Sequence, residues 1–523
     1  MRMGRAIWLS AATMTSRVLG LVRDQLFAAL VGANRFSDAF VVAFRIPNLL
    51  RDLFAEGALS SAFVPTFAEA HAKRGKEDAL RLANGLVGLV LVVVGGIVLC
   101  GLVAAPVIVR LLAPGFGPEE AEFAALLTRI MMPFLLLVSL SAVAMGMLNA
   151  QSRFTAPALA PALFNVGAIA VGTWLWATGK GPRAAAVGWS VGTLVGGAMQ
   201  LAAQWPSLHA LGFRLRPRIG RAVLADPGIR RIGRLMGAAV IGLSATQVNI
   251  LVNTIFASHE VGANTWLLMA FRLMQLPLGV FGVAIATVAG AGVAQRVAAG
   301  DMDGVRETLG SAMRLVAFLN VPAAVGLMAL AHPIISLVYE HGRFGAGDAS
   351  ATADALVFYA IGLYGYSAVK VFAPAFYALD EARVPVIASV VGMTSNVALV
   401  LVLHPLLGFR GIALGTALAA TANFAVLAVA WRRLHGGLGG AGIYRQLARV
   451  ALAAGVMVAA VLAVKAAIAP ALPAAGMARQ APLALVPIAA GAVVYFAAAR
   501  LLGVKELAEV AAALRRRRGR AAR

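Results

Sequence analysis

The chain has 523 residues, 61% of them hydrophobic and only 13% charged, about half the charged share of a soluble domain. That balance excludes a string of soluble domains, and a single cysteine excludes a disulfide framework or a cysteine-based zinc site. A formal net charge of +23 would suit a nucleic-acid binder, but the basic residues fall in alternate loops between apolar runs, so no nucleic acid is expected.

The runs 86–112, 131–148 and 448–468 approach or exceed the roughly 20 residues that cross hydrocarbon as a helix. They lack the alternation of an outer-membrane barrel strand. Taken in chain order, the predicted spans are 6–31, 36–66, 84–112, 123–149, 157–177, 185–206, 233–257, 264–294, 308–339, 351–379, 384–404, 411–431, 447–468 and 482–502. The first resembles a signal peptide only superficially: Arg17 and Arg23 interrupt it and no convincing cleavage site follows. Pro47 interrupts the second and predicts a kink. Cys100, within the third, reads as a small buried hydrophobe.

Lysine and arginine concentrate on the cytoplasmic side of such proteins. One set of loops and ends carries 29 of the 45, including Lys73, Arg74, Lys76, Arg81, the seven arginines of 214–234 and the tail arginines 515–518; the other loops carry six. Both termini are therefore expected in the cytoplasm, which requires an even number of spans and supports about fourteen.

The chain also repeats itself. Ala43-Phe44-Arg45-Ile46 returns as Ala270-Phe271-Arg272-Leu273, with Pro47 and Pro277 downstream. Arg153, Pro157 and Asn165 are echoed by Arg383, Pro385 and Asn396, and Gly188-x3-Gly192-Thr193 by Gly411-x3-Gly415-Thr416. The offsets are 227, about 230 and 223 residues. Six spans fit in one offset, which predicts an all-α integral membrane fold of two parallel six-helix lobes around a central cationic cavity, plus two C-terminal helices. The expected organisation is lobes at 1–225 and 226–435, two extra helices at 436–503 and a basic tail at 504–523. Duplicated transporters place substrate near proline-interrupted helices in corresponding positions, here the second and eighth spans.

Those spans and the first hold charges that hydrocarbon does not tolerate: Arg17, Arg23, Asp24, Asp38, Arg45, Arg51, Asp52 and Glu56, with Arg272 in the eighth. Facing lipid, five arginines would cost about 12–17 kcal/mol, so they are expected to line water. Arg17 and Arg23 are six apart, roughly 9 Å along a helix and about 120° from eclipsed, and both can edge one cavity. Asp24 points about 100° from Arg23 and is expected to orient a different arginine. Inter-helix salt bridges are the structural alternative. Surplus guanidinium over carboxylate suits phosphate, which the planar fork binds bidentately. Arg110, Arg129 and Arg314 lie near span ends and are expected to snorkel; Lys370 lies deeper. A cation site in the second half would rest on Asn249, Asn253 and Asn396. Gly188-Trp189-Ser190-Val191-Gly192 matches a nucleophile elbow, but in an apolar helix Gly188, Gly192 and Gly196 read as close helix packing. Gly437-x-Gly439-x-x-Gly442 reads as a loop. No ATP-binding or zinc-protease motif is present, and no cofactor is expected.

The run Ser16-Arg17-Val18-Leu19-Gly20-Leu21-Val22-Arg23-Asp24 resembles the MurJ/MviN lipid II flippase family. So do Asp38-Ala39-Phe40, Arg45-Ile46-Pro47-Asn48-Leu49-Leu50-Arg51, Phe54-Ala55-Glu56-Gly57-Ala58, Asn253-Thr254-Ile255-Phe256-Ala257-Ser258 and Arg272-Leu273-Met274. The resemblance implies the fold of the multidrug/oligosaccharidyl-lipid/polysaccharide exporter superfamily and export of lipid II, the undecaprenyl-diphosphate-linked peptidoglycan precursor, by a protein that is not an enzyme. It implies that Arg23, Asp24 and Arg272 form a central charged triad, with Arg17, Asp38, Arg51 and Glu56 at further cavity positions. Its implied partners are lipid II, membrane lipids and other cell-wall synthesis proteins. Asp52 departs from the second basic residue of some members, and the family's sodium-site acids are not evident here. The alternatives are a flippase for another polyprenyl-linked oligosaccharide, a cation-coupled multidrug exporter, which calls for an acidic cavity, and a non-transporting scaffold.

Overall fold

In hydrocarbon a backbone must satisfy its own hydrogen bonds, and a long apolar run does so as a helix. The computed structural model describes residues 3–52, 59–178, 181–214, 216–438 and 442–507, and every regular element among them is helical. Glu56, part of the Gly437–Gly442 loop and the basic tail lie outside the described residues.

The chain forms two compact units: Met1–Thr265 with His341–Gly345, and Trp266–Glu340 with Ala346–Arg523. In the first are α1 (Met3–Val31), α2 (Arg35–Arg51), α3 (Leu59–Arg74), α4 (Lys76–Leu112), α5 (Pro118–Ala150), α6 (Thr155–Ala177), α7 (Gly181–Ala202), the short α8 (Trp205–Ala210) and α9 (Arg221–Ala225), and α10 (Pro227–Ala257). α11 (Ala263–Pro277) leads into the second unit, followed by a π-helical turn (Leu278–Gly282), α12 (Val283–Ala298), α13 (Met302–Ala329), α14 (Ala331–Tyr339), α15 (Ala346–Ile361), α16 (Leu363–Ala378), α17 (Arg383–Leu407), α18 (Phe409–His435), α19 (Gly442–Ile468) and α20 (Met477–Leu501). Ten described helices or continuous helix pairs are long and apolar enough to cross a membrane, and α15 with α16, bent by 42°, make an eleventh when the pair is counted as one span. The remaining predicted spans coincide with α1, with α2 plus α3, and with α10, a total consistent with fourteen.

The repeated motifs occupy repeated structures. Pro47 lies inside α2, which is still helical at Asp52, the last described residue before 59, and α11 ends at Pro277, where the π turn begins. Proline deprives the preceding turn of a hydrogen bond in both. The glycine motifs build two tight hairpins, α6 on α7 and α17 on α18. A Cβ on Gly196 would stand 2.5 Å from the Phe164 carbonyl oxygen, and one on Gly411 would stand 2.4 Å from that of Leu403. Gly188, Gly192 and Gly196 are thus the packing residues expected. Gly196→Ala should cost about 1–3 kcal/mol by overpacking, read as a lower unfolding temperature of the purified protein; an unchanged temperature would show that the hairpin can part.

Gly342 serves a different purpose. Its φ of +59° and the 2.3 Å between a Cβ there and the Ala29 carbonyl oxygen admit only glycine. That lets the His341–Gly345 loop lie on the end of α1, where the Arg343 N–H donates to Ala29 O at 2.8 Å.

Two expectations are corrected. Cys100 is exposed, because on a spanning helix the apolar face can be the outer one. Arg314 does not snorkel: its Nε donates to Glu506 at 3.1 Å, and that carboxylate, 1% exposed, also accepts from Gln446. Arg129 is exposed and donates to the Leu102 carbonyl at 3.1 Å, a bond that leaves the expectation for it untouched. At the polar end of α3, Lys73 and Arg231 both hydrogen-bond Glu69, and together they hold its carboxyl down to about 2. A depressed carboxyl keeps its folded-state contribution above the ordinary pKa and loses it as pH falls through the folded one, so this link between α3 and α10 survives mild acid.

Candidate functional site

Arg23 lies in the apolar middle of α1, on the face turned to α6. Two turns earlier on that face, the Ser16 carbonyl accepts from Asn165 Nδ2 at 3.1 Å. Gly20, between them, presents no side chain to Asn165; a Cβ there would come within 3.7 Å of its amide nitrogen. The preceding residue of α6, Phe164, puts its ring 5.5 Å from the Arg23 guanidinium carbon, cation–π distance. Arg23 Nε and Nη2 donate to Asp24 Oδ1 at 3.2 and 3.0 Å, with the two side chains 12% and 9% exposed. The guanidinium is therefore fixed by a carboxylate on one edge and an aromatic ring across its plane.

Asp24 thus orients its own neighbour, not a different arginine. Cβ directions about 100° apart do not separate the head groups, because the arginine stem is long enough to fold back. The same device occurs at the end of α2: Arg51 Nη2 and Nε donate to Asp52 Oδ1 at 2.9 and 3.3 Å. Asp52, the departure noted in the sequence, holds Arg51.

Asp38 has another role. It is 1% exposed, and its Oδ2 accepts from the Gly262 N–H at 2.6 Å. Its Oδ1 accepts from the Thr265 N–H at 3.0 Å and hydroxyl at 2.7 Å. Ser37, one residue before it, closes a reciprocal cap with Asn34 at the start of α2 and lies 2.9 Å from the Thr265 hydroxyl. The N-terminus of α2 is so stapled to the turn that opens α11. Asp38 is committed to two backbone N–H groups and a hydroxyl, not to an arginine.

Arg17 is exposed on α1, while Arg45 on α2 and Arg272 on α11 are half-buried. Lys370 on α16 is exposed. Glu56 lies outside the described residues. The structure therefore joins Arg23 to Asp24 and Arg51 to Asp52 and sets Asp38 apart. It adds Phe164 and Asn165, which the sequence did not mark as site residues. The signal available for Asn165 was its recurrence as Asn396, buried on α17; for Phe164 there was none.

Guanidinium groups oriented by carboxylates on otherwise apolar helices can receive an anion by its planar oxygens. A family model described as "Lipid II flippase MurJ" matches residues 27–473. The chain belongs to the lipid II flippase MurJ family. A relative from Rhizobium meliloti (strain 1021), named "Probable lipid II flippase MurJ", is 34% identical over 97% of this chain and 95% of its own. "Lipid II flippase MurJ" of Burkholderia cenocepacia is also 34% identical, over 81% of this chain and 83% of its own. Among solved structures, "Lipid II flippase MurJ, inward closed conformation" superposes with a TM-score of 0.79 at 24% identity, covering 95% of this chain and 98% of that one. An inward-facing multidrug resistance MATE transporter of the MOP superfamily gives 0.68 at 17% identity, over 83% and 99%. At those identities the likeness concerns the fold. MurJ relatives are named as flippases, not enzymes, and this member is a multi-span membrane protein of a bacterial family.

Proposed function

We propose that the chain carries lipid II from the cytoplasmic to the periplasmic leaflet of the inner membrane by alternating access, with both termini in the cytoplasm. The observation that carries this reading is Arg23, held by Asp24 on the Phe164 ring, inside a MurJ family member whose relatives bear that substrate in their names. Arg23, Arg45, Arg51 and Arg272 are the guanidinium forks offered to the diphosphate, with Arg17 at the approach. The polyprenyl tail stays in lipid while the sugar-peptide headgroup changes sides. A membrane potential negative inside is worth about 2.3 kcal/mol per charge per 100 mV and favours outward movement of the anionic headgroup, so the reading requires no nucleotide.

The test is rescue of cells depleted of their own lipid II flippase, with outer-leaflet lipid II measured directly. Growth with restored lipid II exposure is expected. A well-expressed chain that rescues export of a different polyprenyl-diphosphate oligosaccharide but not of lipid II overturns the substrate. Export undiminished after collapse of all ion and voltage gradients overturns the role of the potential.

A further inference from the structure

The segment between α8 and α10 is bound to α4 in a way the transport reading does not use. Phe213, buried, packs its ring against Phe67 and His71 of α3 and beneath Lys76 Nζ. Further along, the N–H groups of Arg216 and Arg218 both turn to Asn84, one to its side-chain oxygen at 2.8 Å and one to its carbonyl at 3.0 Å. Residues two apart that bond on one side are in the alternation of an extended chain. The backbone lies so close to α4 that a Cβ on Gly88 would stand 1.9 Å from the Arg218 carbonyl oxygen. On this tether Arg214, Arg216, Arg218 and Arg221 are all exposed, and so are two large apolar side chains, Ile219 at 69% and Leu224 at 56%.

α4 itself gives the depth of this segment. Its exposed apolar residues run Val92, Leu99, Val103, Val107 and Leu111, and nineteen steps of about 1.5 Å make roughly 28 Å, the thickness of the hydrocarbon core. Gly88 precedes Val92 by one turn on the same helical face, roughly 6 Å further along the axis. The arginines are therefore tied to the lipid-facing side of α4, at the level where headgroup phosphates lie, with Ile219 and Leu224 placed to enter the acyl boundary.

We propose that Arg214, Arg216, Arg218 and Arg221, with Ile219 and Leu224, form a docking surface for anionic phospholipid headgroups. Neighbouring guanidinium groups bind the phosphates, and the two apolar side chains anchor the segment in the leaflet at that end of α4. Near a surface each arginine is worth roughly a fivefold change in affinity, and three together on the order of a hundredfold.

The experiment uses the full chain in a neutral detergent, titrated with phosphatidylglycerol or phosphatidylcholine while native mass spectrometry counts bound lipid. Phosphatidylglycerol should bind in preference, less tightly as salt rises. The Arg214→Gln/Arg216→Gln/Arg218→Gln variant should weaken its tightest binding about a hundredfold and leave phosphatidylcholine unchanged. Gly88→Ala keeps every arginine but displaces the segment, and should weaken the same binding while the unfolding temperature reports that the helices remain assembled. Equal retention of phosphatidylglycerol by wild type and the triple variant overturns the proposal, and is the result expected if this face serves a soluble protein. Displacement of the lipid by inorganic phosphate beyond that by chloride at equal ionic strength overturns it in favour of a free-phosphate site.

Discussion

Arg23→Ala is expected to abolish rescue of flippase-depleted cells at membrane levels equal to wild type. Two charge-assisted bonds to a phosphate contribute about 1.5–3 kcal/mol each, so their loss should lower transport by on the order of a hundredfold or more. Arg272→Ala should behave alike. Arg23→Lys keeps the charge but loses the planar fork and should recover only a fraction. Phe164→Leu removes the ring 5.5 Å from the guanidinium and should fall between, since a cation–π contact is worth about 0.5–2 kcal/mol. Arg129→Ala, which loses only a bond to the Leu102 carbonyl, should rescue. Full rescue by both Arg23→Ala and Arg272→Ala would make these arginines structural and would remove the diphosphate clamp. Outer-leaflet lipid II in the same cells separates slow transport from failed insertion.

Asp38→Ala should destabilise the protein with little regard to substrate. The substitution leaves the Gly262 N–H, the Thr265 N–H and the Thr265 hydroxyl without their common acceptor. A buried donor left unsatisfied costs about 1–3 kcal/mol, so losing the acceptor of all three should cost several times that of a single bond. The expected result is a markedly lower unfolding temperature of the purified protein, with low membrane levels. Thr265→Val, which removes one donor and keeps the backbone bond, should cost about 1 kcal/mol. A variant Asp38→Ala that unfolds with wild-type stability yet fails to transport would place Asp38 on the substrate instead of in the staple.

The sequence by itself determined that the chain is helical and membrane-spanning, because a run of apolar residues has only one way to satisfy its backbone in lipid. It also located the arginines, since nine charges in three apolar spans cannot be accidental at the cost of burying them. The duplication was legible as well: Pro47 and Pro277 lie in corresponding helices, and the paired glycine motifs close corresponding hairpins. Partners were another matter. Helical periodicity fixes where a Cβ points, not where a long side chain places its charge, so Arg23 with Asp24 and Arg51 with Asp52 were not legible. Asp38 meets Gly262 across 224 residues and Arg314 meets Glu506 across 192, distances over which no periodicity argument reaches. Cys100 was read as buried because apolar means inside in water; in lipid the outer face is apolar too, and only packing tells the faces apart. How Arg23 and Arg51 fold back onto the acids beside them was decided by side-chain conformation. Tertiary structure alone decided which acid staples a helix and which face of α4 receives the arginine segment, because each of these depends on what a second element brings to the first.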